Sequence, residues 1–286
     1  MSACVELSVV QPVKTINYTE ALTLDQRMTT KTALVTGASA GIGQELAREF
    51  AANGWDLFVV ARRTDRLLAL ADELDSEYGT DVGVTSMDLS EPEVAEKLYD
   101  EVDEREITVD ALVNNVGIGV HGSFHETPLE RELDQVQLNT VLPVHLTKLF
   151  LPEMVERDDG MVVNVASMAG FQAGPFMAGY YASKAYLLSL SEALAEELRG
   201  TGVSVTALCP GPVKTEFQDR AGMEDSMVGA RASNTPARVA RAGYRGAMAG
   251  KSIVIPSRSM KLAYVLSTLT PRPLVRRAAR RVNAER

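Results

Sequence analysis

Tyr180 and Lys184 stand four residues apart in the run Tyr180-Tyr181-Ala182-Ser183-Lys184. On a helix this spacing puts both side chains on one face, one turn apart. A phenol, with an ordinary pKa of about 10, is a weak acid–base group at neutral pH, and an adjacent ammonium favours the phenolate. The pair therefore suits protonation of a carbonyl oxygen or deprotonation of a hydroxyl. Alone, the match is common by chance. Ser167 lies 13 residues before Tyr180, directly after an apolar run ending at Ala166. Asn139 is followed four residues later by Pro143. A proline within a helix cannot donate to the carbonyl four residues back, which frees the Asn139 carbonyl to hold a water.

A second group of residues points to a phosphate. Thr36-Gly37-Ala38-Ser39-Ala40-Gly41-Ile42-Gly43 joins an apolar run to a helical one. Glycines there permit a tight turn and a close approach of backbone amides to a pyrophosphate at the helix N-terminus. The same stretch matches Gly-x-Ser-x-Gly, a hydrolase elbow with Ser39 as nucleophile. That reading is the weaker one. Only 38 residues precede Ser39, none of them a Gly-rich oxyanion loop, and none of His121, His125 and His145 follows a late strand. The second apolar run ends Val59-Val60-Ala61-Arg62-Arg63. At this distance past the glycines a carboxylate favours NAD, whereas arginine accommodates the 2′-phosphate of NADP. Arg62 and Arg63 therefore predict NADP(H).

Short apolar runs at Thr32–Thr36, Asp56–Ala61, Val82–Ser86, Ala111–Val113, Met161–Ala166, Val203–Leu208 and Ser252–Ile255 alternate with helical patterns near 41–53, 65–77, 91–104, 129–157, 180–199 and 235–249. Their continuous hydrophobicity suits strands covered on both faces. The alternation predicts an α/β fold, a single doubly wound Rossmann-type parallel sheet flanked by helices on both faces. Ser167 then falls at the carboxyl end of a strand, where such sheets bind ligands. The expected organisation is an appended arm over 1–29, a catalytic domain over 30–256 and a basic amphipathic extension over 257–286.

The chain has 286 residues, 45% of them hydrophobic, enough for a sizeable single core. Its net charge of −9 argues against a nucleic-acid partner. From Lys251 onward there are nine Lys/Arg and one acid, so the preceding residues carry −17. Two cysteines, Cys4 and Cys209, make a disulfide framework implausible and suit a reducing, cytoplasmic setting. Neither a spanning helix nor a secretory leader is expected, and no metal site is read.

Thr36–Gly43, Asn114-Asn115-Val116-Gly117, Asn139, Ser167, Tyr180/Lys184 and Pro210-Gly211-Pro212-Val213-Lys214-Thr215 together resemble the ordered motif set of the short-chain dehydrogenase/reductase family, over roughly residues 31–256. Val116 stands where that family usually has Ala. The resemblance implies an NADP(H)-dependent oxidoreductase interconverting a ketone or aldehyde and an alcohol by hydride transfer. It implies that Tyr180 exchanges a proton with the substrate oxygen and that Lys184 tunes the tyrosine and holds the nicotinamide ribose. Ser167 would hydrogen-bond the substrate oxygen, and Asn139 would anchor a relay water. Gly37, Ser39, Ala40, Gly41, Ile42 and Gly43 form the phosphate turn. Asp88 and Leu89 would meet the adenine, Asn115 and Gly117 the adenosine side, and Gly211, Val213 and Thr215 the nicotinamide end. Tyr181 is expected to face elsewhere, since only Tyr180 is one turn from Lys184. Family members commonly dimerise or tetramerise through two long helices, here 129–157 and 180–199. A protein that only senses NADP(H) is the alternative, against which the intact Asn139/Ser167/Tyr180/Lys184 set argues.

Phe171, Phe176 and Met177 are expected to wall the substrate site. Residues 216–233, with Gly222, Met223, Met227 and Gly229, read as a mobile lid. Both favour a small-molecule substrate with an apolar portion: a 3-oxoacyl chain, a steroid-like ketone or an aryl ketone. The tail mixes Leu262, Tyr264, Val265, Leu266 and Leu269 with Lys261, Arg272, Arg276, Arg277, Arg280 and Arg281. Such a pattern suits a membrane surface, but packing on the acidic body or on a second subunit is the favoured expectation.

Overall fold

Val, Leu, Ile and Ala dominate the runs that become strands in the computed structural model, which describes residues 30–222 and 234–284. The arm over 1–29 and the central part of the expected lid lie outside the described residues. The strands are β1 (Thr32–Thr36), β2 (Asp56–Ala61), β3 (Val82–Ser86), β4 (Val109–Asn114), β5 (Gly160–Val165), β6 (Val203–Leu208) and β7 (Ile253–Val254). They form one parallel sheet in the order β3-β2-β1-β4-β5-β6-β7. Successive side chains leave a strand on opposite faces, and here both faces are covered. Ala33 and Val35 of β1, Leu57 and Val59 of β2 and Ala111 and Val113 of β4 enter one core. Leu34, Phe58, Val60 and Leu112 enter the other. That is why the runs read as continuously apolar.

The first core is capped by α1 (Gly41–Ala51), α2 (Thr64–Tyr78) and α8 (Pro236–Met248). Leu67, Leu70 and Leu74 make the buried stripe of α2, which ends at Gly79 in the left-handed conformation (φ 67°) that a glycine adopts without strain. Thr235 caps α8 by accepting from the Arg238 amide at 3.4 Å, with Pro236 in its first turn. Phe50 meets Trp55 and Tyr244 edge-on, with ring centroids 5.2 and 5.0 Å away. The second core is capped by α3 (Val94–Glu104), α5 (Leu142–Glu156) and the later turns of α6 (Ala178–Glu197).

The expected long helix over 129–157 is not uniform. It comprises α4 (Leu129–Val136), a wide π turn over Gln137–Val141, and α5. The Leu142 amide bonds back to the Gln137 carbonyl, five residues away. Pro143 supplies the reason, because it has no N–H to give Asn139 and the ladder skips at that point. A short α7 (Phe217–Arg220) follows the loop after β6, and two tail helices, α9 (Arg258–Leu269) and α10 (Arg272–Asn283), come last among the described elements. The compact unit that contains the sheet extends over Lys31–Arg286, so the tail helices are part of it. Among the described residues no helix is long and apolar enough to cross a membrane.

Candidate active site

The strand order reverses direction between β1 and β4, and the carboxyl ends of those two strands diverge around a crevice. Thr36 ties the two sides. Its hydroxyl donates to the Val113 carbonyl (3.1 Å) and accepts from the Asn115 and Val116 amides (3.0 and 3.2 Å). Asn115 Nδ2 donates to the Thr36 and Gly37 carbonyls at 2.8 and 3.3 Å. A side chain could not be added to this turn. Gly37 and Gly41 sit at φ 69° and 61°, and a Cβ on Gly43 would lie 2.3 Å from Asn115 Nδ2 and 2.5 Å from the Gly37 carbonyl. The residue before α1, Ala40, has no side chain to cap the first helical amides, so this end of the cleft is a cradle of backbone donors.

One cleft of about 940 Å³ runs from this cradle across the sheet. The predicted site residues Gly37, Ser39, Ala40, Gly41 and Ile42 line it, as do Arg62, Arg63, Asp88, Leu89, Asn115 and Gly117. So do Ser167, Tyr180, Lys184, Gly211, Val213 and Thr215. Gly43 and Asn139 act from behind the wall. Asn139 is buried, and its amide is spent on clamping the cleft floor. Its Oδ1 accepts from the Ile118 amide (3.0 Å), while Nδ2 donates to the Ile118 carbonyl (2.9 Å) and Ser183 Oγ (3.0 Å).

Ser167 ends β5 in extended conformation, and its Oγ accepts from the Ala169 amide at 3.1 Å. Its side chain also lowers the pKa of the Tyr180 phenol. Lys184 is buried, and its Nζ donates to the Val165 carbonyl at 2.7 Å and stands 5.9 Å from the Tyr180 ring centroid. The electrostatics differ from the expectation that Lys184 lowers the tyrosine pKa. Burial pushes the Tyr180 phenol up to about 12, with the Ser167 hydrogen bond pulling the other way. Burial also draws Lys184 down to about 8. Desolvation penalises each charged form and is the largest cause of both shifts.

Arg63 spans the cleft mouth. Its guanidinium donates to Ser39 Oγ through Nε (3.2 Å) and Nη2 (3.0 Å), and through Nη1 to Glu216 Oε2 at 2.9 Å. Glu216 also accepts from Arg66 (2.6 Å) and Arg220 (2.6 Å). Arg66 foremost, joined by Arg63, holds its carboxyl down at about 2 against the burial that raises it. Sequence reading had Glu216 only as the first residue of a lid; the arginines one turn apart at 63 and 66 were the available signal. Arg62 is more exposed, with one long pairing to Asp88 at 3.5 Å. The hydrolase alternative has no support here, since Ser39 faces Arg63. His121 meets the Asn283 carbonyl, His125 pairs with Glu126 and His145 pairs with Glu96.

Two expectations at the substrate end need correction. Phe171 and Met177 line the cleft, but Phe176 is turned beneath Arg280, with ring centroid to guanidinium 5.0 Å. Phe176 has φ 66°, a left-handed conformation costing a side-chain-bearing residue about 1–2 kcal/mol. Tyr181 does not face away: it lines the cleft beside Tyr180, its hydroxyl spent on Asn283. The basic extension is a wall of the same cleft, to which Met260, Ala263, Ser267, Val282 and Asn283 contribute. Phe217, missed by sequence reading, covers Tyr180 with ring centroids 5.4 Å apart.

Residues 31–225 match the family model described as short chain dehydrogenase. The chain belongs to the short-chain dehydrogenase family. Among curated relatives, a short chain dehydrogenase of Pseudocercospora fijiensis is 38% identical over 189 residues, 65% of this chain and 61% of the relative. A very-long-chain 3-oxoacyl-CoA reductase of Phaeosphaeria nodorum is 36% identical over 182 residues, 60% of this chain and 52% of that protein. The matches therefore span between half and two thirds of these two relatives. A solved short-chain dehydrogenase from Sphingobium yanoikuyae in complex with NADPH superposes with a TM-score of 0.75 at 31% identity, covering 84% of this chain and 93% of that one.

Proposed function

We propose that this short-chain dehydrogenase is an NADP(H)-dependent carbonyl reductase with Tyr180 as proton donor. The observation that carries the reading is the convergence of Ser167, Tyr180 and Lys184 in the cleft that begins at the glycine cradle. A dinucleotide phosphate suits that cradle, because no side chain caps the first amides of α1 and Gly37 and Gly41 bring main chain to the cleft wall. When bound, the nicotinamide supplies the hydride. Ser167 holds the substrate oxygen, and the neutral Tyr180 phenol passes it a proton. Lys184, with its pKa near the working range, is placed to resupply Tyr180 and to hold ribose hydroxyls.

NADP(H) rather than NAD(H) is supported by Arg62 and Arg63 at the end of β2, a strand that itself ends in no carboxylate; a 2′-phosphate would compete with Glu216 and Asp88 for the two guanidiniums. The NADPH complex of the Sphingobium relative agrees with it. The substrate is a small molecule with an apolar portion, since Phe171, Met177, Phe217, Met260 and Val282 surround the space beyond Tyr180. The relative named for 3-oxoacyl-CoA supports an acyl-type ketone. A cytoplasmic homodimer or homotetramer belongs to the same reading. Exposed Leu133, Val136, Val141 and Tyr186 on α4, the π turn and α6 support a subunit contact through these helices. Light scattering of the purified protein reads the subunit number.

The deciding experiment follows NADPH oxidation with ketones of graded chain length, beside NADH. Turnover with NADPH preferred at least about tenfold in kcat/KM, about 1.4 kcal/mol, is the expected result. Tight binding without turnover of any ketone would instead establish the sensor alternative.

A further inference from the structure

Asn283, in the last turn of α10, is fully buried. A primary amide leaves water only where hydrogen bonds replace those it loses, and here the partners come from distant parts of the chain. Its Nδ2 donates to the Pro175 carbonyl at 3.0 Å, and its Oδ1 accepts from the Tyr181 hydroxyl at 3.2 Å. Its main-chain carbonyl lies 2.6 Å from His121 Nε2. One residue thus joins the segment after β4, the loop before α6 and α6 itself. Tyr181 is the immediate neighbour of Tyr180.

The loop it grips is under strain. Phe176 follows Pro175 and sits at φ 66°, its carbonyl accepting from the Gly122 amide at 2.9 Å and its ring lying under Arg280 of α10. A side-chain-bearing residue keeps that conformation only when its surroundings over-determine it. Met177, next along, is buried and lines the cleft. On α9, Met260, Ala263 and Ser267 face the same space, and Tyr264 packs on Phe171 with ring centroids 4.4 Å apart.

We propose that Asn283 is a positioning residue of the substrate site: it locks α10 onto the loop before α6, so that the tail helices form a fixed wall setting how large a ketone enters. The proposal rests on the carbonyl-reductase reading of this cleft. None of Asn283's hydrogen bonds reaches Ser167, Tyr180 or Lys184, so its influence falls on substrate fit and not on proton transfer.

The test uses the full chain with NADPH and a series of linear ketones, comparing wild type with Asn283→Ala and Tyr181→Phe. Tyr181→Phe removes one bond while keeping the ring, and guards against a simple folding failure of Asn283→Ala. The expected result for Asn283→Ala is a KM raised about tenfold for the best ketone, with kcat and NADPH affinity within about twofold. Its size preference should flatten, and Tyr181→Phe should shift the same way by a smaller factor. Amide hydrogen exchange at Gly122 and across 176–181 should speed by about tenfold in Asn283→Ala. An unchanged size preference with unchanged exchange overturns the proposal, as does a loss confined to kcat. If the wild type turns over no ketone, the functional reading fails, and the exchange measurement still decides whether Asn283 locks the wall.

Discussion

At its glycine end the cleft is walled by main chain: Gly37 and Gly43 press against Asn115 and Gly41 approaches Thr215, with no room for a methyl group on Gly43. At its far end it is walled by side chains, Met177, Phe217, Met260 and Val282, drawn from four separate segments. A backbone wall reads only what is common to its ligands, a phosphate chain, and tolerates almost no substitution. A side-chain wall can be re-cut residue by residue. Constancy of the cofactor and variety of the substrate within one fold follow from that division.

Four measurements would break or sharpen the contrast. Tyr180→Phe, at the boundary between the two ends, should lower kcat by about 10²–10⁴-fold while NADPH affinity changes less than about twofold. Retained turnover would move the proton donor elsewhere. Gly43→Ala should cost about 1–3 kcal/mol of stability on thermal or urea unfolding and weaken dinucleotide binding. The control is Gly54→Ala, at φ 79° with nothing within 4 Å of an added Cβ, which should leave binding alone. Equal effects from both would remove the steric argument. The double variant Arg62→Ala/Arg63→Ala should lower the preference for NADPH over NADH by about tenfold, about 1.4 kcal/mol, with NADH kinetics nearly unchanged. The mildest effect is in pH. Tyr180, raised to about 12, keeps its proton through the neutral range, whereas Lys184, lowered to about 8, loses its own as pH rises past that value. Ketone reduction should therefore bend downward near pH 8 with no second, phenolic loss below about pH 10. A flat profile through pH 8 takes Lys184 out of the proton path.

Seven strands and the phosphate turn were legible because each is written in neighbouring residues, by period and by glycine spacing. Errors there were small: β4 begins at Val109 rather than Ala111, and β7 holds only Ile253 and Val254. The proline at 143 marked the irregularity at Asn139, though not that it takes the form of a π turn. The substrate end was less readable, since its contacts link residues far apart. Nothing near Asn283 announces Pro175 or His121, 108 and 162 residues away. Phe176 looked like a wall residue by type alone, and its backbone conformation turned it aside. The rise in the Tyr180 pKa was hidden for a related reason: sequence shows the lysine one turn away but not the burial that raises the phenol.

The strand order has a consequence in time. β1 is made first, yet its far-side neighbour β4 is separated from it by two strands and their helices. The glycine turn therefore waits for Asn115 before its shape is held. The wall fixed by Asn283 waits much longer: at about 5–20 residues per second of synthesis, roughly 10–30 s pass between those two residues. During that interval both partners of the glycine turn have been made, while the residue that fixes the tail wall has not.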